Sequence, residues 1–133
     1  MISIFAKDVM IKDVYKIGPD EKVAHARLMM IRHNIGGLPV VMDDDTFVGI
    51  LTLRDVYFAG GMNVMTLSVK DIMTKKHLIT GTETTTLSEL ADMMTKTGIQ
   101  RIPIVDSEMK LLGLVTQSVL IRSFRALFER SSA

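Results

Sequence analysis

Three short blocks of this chain occur twice, in the same order. Lys7-Asp8-Val9-Met10 returns as Lys70-Asp71-Ile72-Met73, Leu38-Pro39-Val40-Val41 as Ile102-Pro103-Ile104-Val105, and Gly49-Ile50-Leu51-Thr52 as Gly113-Leu114-Val115-Thr116. The offset is 63 residues for the first pair and 64 for the other two, so one residue is inserted between them. Ordered blocks at a near-constant offset describe one supersecondary unit used twice. Two such units can pack about a pseudo-two-fold axis and leave equivalent clefts, so function is expected where the copies meet and where they differ. A half of about 60 residues buries only a marginal core alone. With 47% of the 133 residues apolar, the halves are expected to share one core.

Each copy reads as the same order of elements. After Lys-Asp-(Val/Ile)-Met comes a brief extended segment, Val14 to Ile17 or Leu78 to Thr80, and then a helix. In the second copy Thr86-Leu87-Ser88-Glu89 is a capping box. Leu87, Leu90, Ala91 and Met94 make one apolar stripe at helical spacing, and Gly98 is placed to end the helix. In the first copy Pro19-Asp20 is expected to open the helix. Val23, Ala26 and Met30 carry its stripe, and Asn34 takes the Gly98 position. A β-hairpin follows, 38–42 with 47–52 and 102–106 with 111–116, its aliphatic runs fitting a sheet covered on both faces. The closing helix of the first copy is short and stops at Gly60-Gly61. That of the second spans about Gln117 to Glu129, with Leu120, Phe124, Leu127 and Phe128 on one face. The chain is thus expected to be α/β (α+β), a β-α-β-β-α unit repeated and packed through its sheets. The first repeat is placed at 7–61, a linker at 62–69, and the second repeat at 70–133.

Bulk properties narrow the function. A net charge of +1 gives no electrostatic case for nucleic acid or a membrane surface as main partner. Cysteine is absent, which removes disulfides and thiol chemistry and fits a reducing cytosol. The start is too short and too soon charged for a signal peptide, and no apolar run approaches the length needed to span a bilayer. A cytoplasmic protein is expected. No nucleophile–base pair, glycine-rich phosphate loop or metal cluster supports catalysis. His25, His33 and His77 lack zinc spacing. Asp43-Asp44-Asp45 lacks the spaced ligands of a calcium loop and reads as a solvated turn. Arg122, Arg125 and Arg130 read as a solvated helix face.

The Asp-(Val/Ile)-Met start, the (Leu/Ile)-Pro-(Val/Ile)-Val strand and Gly-x-x-Thr after it, in order and twice over, resemble a tandem pair of CBS domains, the Bateman module. The resemblance covers about Lys7 to Arg122, and a stand-alone CBS pair with no appended catalytic domain is expected. It implies a regulatory module that is not an enzyme and has no cofactor. Such a module binds an adenosine-containing ligand (AMP, ADP, ATP or S-adenosylmethionine) between the repeats and signals by conformational change to an effector protein. It also implies a homodimer, expected through the helices that follow each hairpin. The alternatives are a ligand-free assembly module and, against the charge balance, a nucleic-acid-binding accessory.

The first copy carries the complete motif Gly49-Ile50-Leu51-Thr52-Leu53-Arg54-Asp55. Thr52 sits where strand turns to helix, so its hydroxyl and the first free N–H groups can meet a phosphate. A carboxylate at Asp55, in the first helical turn, can accept both ribose hydroxyls. Thr followed by Asp is equally ordinary N-capping. Ile11 and Val14, with Leu38, are expected to form the apolar wall for adenine. In the second copy Gly113 and Thr116 are kept, but Val119 replaces Asp55 and cannot bond a ribose. Arg101, just before Ile102-Pro103, stands where the family often places a phosphate-binding basic residue, and the first copy has Gly37 there. One principal ligand, served by Asp55, is expected.

Overall fold

The computed structural model describes residues 3–60 and 62–132, so Gly61, read as part of the first helix stop, lies outside the described residues, as does the side chain of Arg130. In chain order the elements are α1 (Ala6–Val9), α2 (Val23–Arg32), β1 (Gly37–Val41), β2 (Phe47–Thr52), α3 (Leu53–Ala59), a 3-10 turn (Met62–Thr66), α4 (Val69–Ile72), α5 (Leu87–Thr97), β3 (Arg101–Val105), β4 (Leu111–Thr116) and α6 (Gln117–Ser132). The two hairpins form separate two-stranded antiparallel sheets in equivalent register. Each has its irregularity at the same place, between Val40 and Val41 and between Ile104 and Val105. The extended segment ahead of each helix adds one parallel bridge rather than a strand, Ile17 to Val40 and Gly81 to Ile104.

The compact units do not follow the order of the repeats. One unit is Tyr15–Leu78; the other joins Met1–Val14 to Ile79–Ala133. The opening block of each copy is therefore built into the unit that holds the other copy's hairpin. Instead of the single shared core expected from the sequence, the described residues form two buried clusters. Ile17, Val23, Ala26, Met30, Leu38, Val40, Leu51, Val56, Val64 and Val69 form the first. Ala6, Leu87, Leu90, Met94, Ile102, Ile104, Val115, Val119 and Leu120 form the second. Each half completes its core with borrowed chain, Val69 in one and Ala6 in the other, both fully buried. The 62–69 segment, read from the sequence as a linker, contributes Val64 and Val69 to the first core.

A physical contact explains the exchange. In the first unit, a Cβ built on Gly49 would lie 2.8 Å from Met73 Sδ and 2.8 Å from the Thr74 carbonyl oxygen. In the second, a Cβ on Gly113 would lie 2.6 Å from Met10 Sδ and 2.9 Å from the Ile11 carbonyl oxygen. Only glycine permits so close an approach of backbone and thioether. The Met of one copy's first block thus rests on the Gly of the other copy's third block. Paired backbone bonds seal each contact, Ile50 with Thr74 at 2.9 and 2.8 Å and Ile11 with Leu114 at 2.9 and 2.9 Å.

Local expectations meet the structure unevenly. The α5 capping box is present, with Thr86 Oγ1 accepting from Glu89 N and Glu89 Oε1 from Thr86 N. Gly98 ends that helix at φ 77°, and Asn34 takes the same left-handed region at φ 53°. Pro19-Asp20 does not open α2; that helix starts at Val23 behind Lys22, whose side chain makes no cap bond. The α6 stripe divides: Leu120 is buried and Phe124 packs on the core, whereas Phe128 is 73% exposed. A 16-residue helix is about 24 Å long and outruns so small a core.

Candidate functional site

Thr52 ends β2 in extended conformation and caps α3. Its hydroxyl oxygen accepts from the Asp55 N–H at 3.1 Å, and Asp55 Oδ2 accepts from the Thr52 N–H at 2.9 Å. The capping role weighed for this pair is therefore realised, but it does not exhaust either side chain. A threonine hydroxyl that accepts one bond still has its proton to donate. The second carboxylate oxygen, Asp55 Oδ1, accepts from the Thr74 hydroxyl at 3.2 Å. A carboxylate offers about four acceptor positions, so two remain after these bonds. Two free acceptors on a carboxylate of fixed orientation match the two donors of a vicinal diol. Arg54 is exposed, with its guanidinium 5.3 Å from the centre of the Phe58 ring.

The residue that completes this arrangement, Thr74, was not foreseen. It directly follows the Lys70–Met73 block, and the exchange of opening blocks brings it to Asp55 across 19 residues of sequence. Ile11 and Val14, expected to wall the same site, belong to the other unit, where Ile11 pairs with Leu114. Leu38 shares a unit with Asp55 but is 0% exposed, so it supports the site from inside the core and offers a ligand no surface.

In the second unit Thr116 Oγ1 accepts from Val119 N at 3.2 Å, half of a capping box, because valine returns no acceptor. Where Asp55 and Thr74 stand in the first unit, this one has Val119 and Ile11. Both line a groove of about 780 Å³, together with the apolar Ile4, Val9, Met10 and Leu127 and the charged Asp8 and Arg122. Arg101 pairs with Thr116 at the end of the hairpin. Burial lowers its pKa from the ordinary arginine value, though an arginine remains charged at neutral pH. Among the described residues no carboxylate pairs with it, so its charge is available to an anion. The acidic turn is used internally: Asp44 Oδ1 accepts from the Thr46 backbone and hydroxyl, and Asp45 pairs with Lys16 at 2.7 Å. Among the described residues no group of three His, Cys, Asp or Glu is arranged to hold a metal, and no helix is long and apolar enough to cross a membrane.

Repeated hairpins, the glycine–methionine contacts and a Thr-x-x-Asp cap at the strand-to-helix corner define a module built from one unit used twice. The family model for the CBS domain matches residues 6–60 and 69–126, and the chain belongs to the CBS-domain family, with two such domains in tandem. Among curated proteins it is 40% identical over 111 residues to the inosine-5′-monophosphate dehydrogenase of Methanocaldococcus jannaschii, covering 84% of this chain and 22% of the dehydrogenase. The chain spans about a fifth of the length of the curated relatives it matches. Among solved structures, a CBS domain pair in complex with 5′-methylthioadenosine and S-adenosyl-L-methionine superposes with a TM-score of 0.82 at 29% identity, covering 94% of this chain and 98% of that one. The protein CBSX2 in complex with AMP gives 0.81 at 25% identity, covering 92% and 97%.

Proposed function

We propose that this chain is a ligand-sensing regulatory module of the cytoplasm that does no chemistry. It binds one adenosine-containing ligand, of the AMP, ADP or ATP class, at Asp55. The observation that carries the reading is the Asp55 carboxylate, fixed from two sides with two acceptor positions left over. Relatives of matching length bind AMP in one case and S-adenosyl-L-methionine with 5′-methylthioadenosine in another. All three contain an adenosine-type ribose, which such a carboxylate would recognise. A ligand that prefers one conformer of the protein shifts the population towards it, and an effector protein reads the result.

The test is calorimetric titration of the full chain with AMP, ATP and S-adenosylmethionine, repeated on Asp55→Asn. That substitution keeps the shape of the cap but turns an acceptor into a donor. The wild-type chain is expected to take up one of the three at one site. The variant should bind it at least tenfold more weakly, the scale of a lost hydrogen bond to a charged group. Absence of heat and of thermal stabilisation with every ligand would move the reading to a ligand-free assembly module.

A second copy of the chain is the partner we assign to the helices that follow the hairpins, α3 and α6. Tyr57 and Phe58 of α3 are 79 and 70% exposed, and Ile121 and Phe128 of α6 are 63 and 73% exposed, apolar side chains that a second copy would cover. Phe58→Asp is expected to convert a dimer to a monomer in analytical ultracentrifugation at micromolar concentration. A wild-type chain already monomeric there would remove this interface.

A further inference from the structure

We infer that Thr74 is a positioning residue for Asp55 and, through it, sets the ribose selectivity of the site; the inference rests on the ligand reading above. Asp55 Oδ2 is held by the Thr52 N–H, a bond local to the helix cap. That bond alone leaves the carboxylate free to rotate about it. The Thr74 hydroxyl, reaching Oδ1 from another part of the chain, removes that freedom. The donor is itself anchored, because both backbone groups of Thr74 are bonded to Ile50, at 2.8 and 2.9 Å. With one donor on each oxygen, the two remaining acceptor positions point in fixed directions, which recognition of a rigid cis-diol requires.

The second unit supplies an internal comparison. Its backbone is the same at this place: Ile11 pairs with Leu114 as Thr74 pairs with Ile50. Its side chains differ together. The hydroxyl donor and its carboxylate acceptor are both present in one unit, and both are aliphatic, Ile11 and Val119, in the other. The scaffold thus accepts either residue at the Thr74 position, and the hydroxyl is not needed to build the bridge. What the hydroxyl adds is its bond to Asp55.

The experiment titrates AMP and 2′,3′-dideoxy-AMP into the wild-type chain, Thr74→Val and Thr74→Ser, with a melting curve for each protein. Thr74→Val is expected to weaken AMP about tenfold, the scale of one hydrogen bond to a charged group, and dideoxy-AMP by less than about twofold, since that ligand has no diol to read. Thr74→Ser should stay within about twofold of wild type for both, because it restores the donor. Equal losses for both nucleotides in Thr74→Val, or no loss for either, would overturn the inference while leaving the ligand reading intact. Failure of the wild-type chain to bind AMP or any other adenosine ligand would overturn the reading itself and the inference with it. If Thr74→Val does not fold, Thr74→Ala removes the same hydroxyl with less bulk and is judged by the same comparison.

Discussion

Gly113→Ala is expected to destabilise the protein by about 2 kcal/mol, within the range for forcing extra methyl groups into a packed site. For a chain of this size that lowers the melting temperature by about 5–10 °C. The new Cβ would meet Met10 Sδ at 2.6 Å, Met10 Cγ at 2.8 Å and the Ile11 carbonyl oxygen at 2.9 Å. The thioether can swing aside, but the carbonyl cannot, because it is bonded to the Leu114 N–H. The strain is therefore relieved only by lifting α1 and its neighbours off the hairpin, which exposes Ala6 and loosens the second core. Gly49→Ala should act alike on the first core, through Met73 and Thr74. Amide hydrogen exchange separates the two: Gly113→Ala should quicken exchange at Ile11 and Leu114 and spare Ile50 and Thr74. Gly18→Ala is the control, since its Cβ would meet nothing closer than 3.7 Å. A melting temperature for Gly113→Ala within about 1 °C of that control would sink the account, being smaller than the shift from even 1 kcal/mol.

These two glycines also mark where the sequence stopped being legible. The repeat, the helix boundaries at Thr86 and Gly98, and the hairpin strands are set by residues within a few positions of one another, so a one-dimensional pattern contains them. Each copy's Met and Gly were visible as separate marks. That Met10 lands on Gly113 and Met73 on Gly49 depends on chain exchange over many residues, which no local pattern encodes. The site inherits this limit. Thr52 and Asp55 are three residues apart, and their pairing is a local cap, readable directly. Ile11 and Val14, expected as the apolar wall for adenine, belong to the other unit, and the exchange brings Thr74 to Asp55. Leu38 is expected to add to that wall. Its pairing with Leu51 in a hairpin at the centre of the first core buries it completely. The α6 stripe shows the same limit in another form. Period alone marks one face from Leu120 to Phe128 but cannot say where the core beneath it ends.

The coupled difference between the two units leads to the other large effect, a gain rather than a loss. Val119→Asp alone is expected to destabilise the protein by about 1–3 kcal/mol, the cost of a polar group partly buried without its full set of partners. The carboxylate would enter a groove lined mostly by apolar side chains, Ile4, Val9, Met10 and Ile11, that also holds Asp8 and Arg122, with the Thr116 N–H placed in register as the Thr52 N–H is for Asp55. Ile11→Thr alone should be close to neutral, since Ile11 is 41% exposed and its backbone bridge to Leu114 does not use the side chain. Together the two substitutions reproduce the donor and acceptor that Thr74 and Asp55 supply in the first unit, on a backbone that already has the same pairing. The double variant should therefore be more stable than the sum of the single changes predicts, by about 1 kcal/mol in a double-mutant cycle. Its adenosine-ligand stoichiometry in calorimetric titration should rise from one to two per chain. Strict additivity of the two changes in thermal unfolding would mean that the introduced hydroxyl does not reach the introduced carboxylate. The equivalence of the two units, drawn from their shared backbone pairing, would then not extend to the side chains that read a ligand.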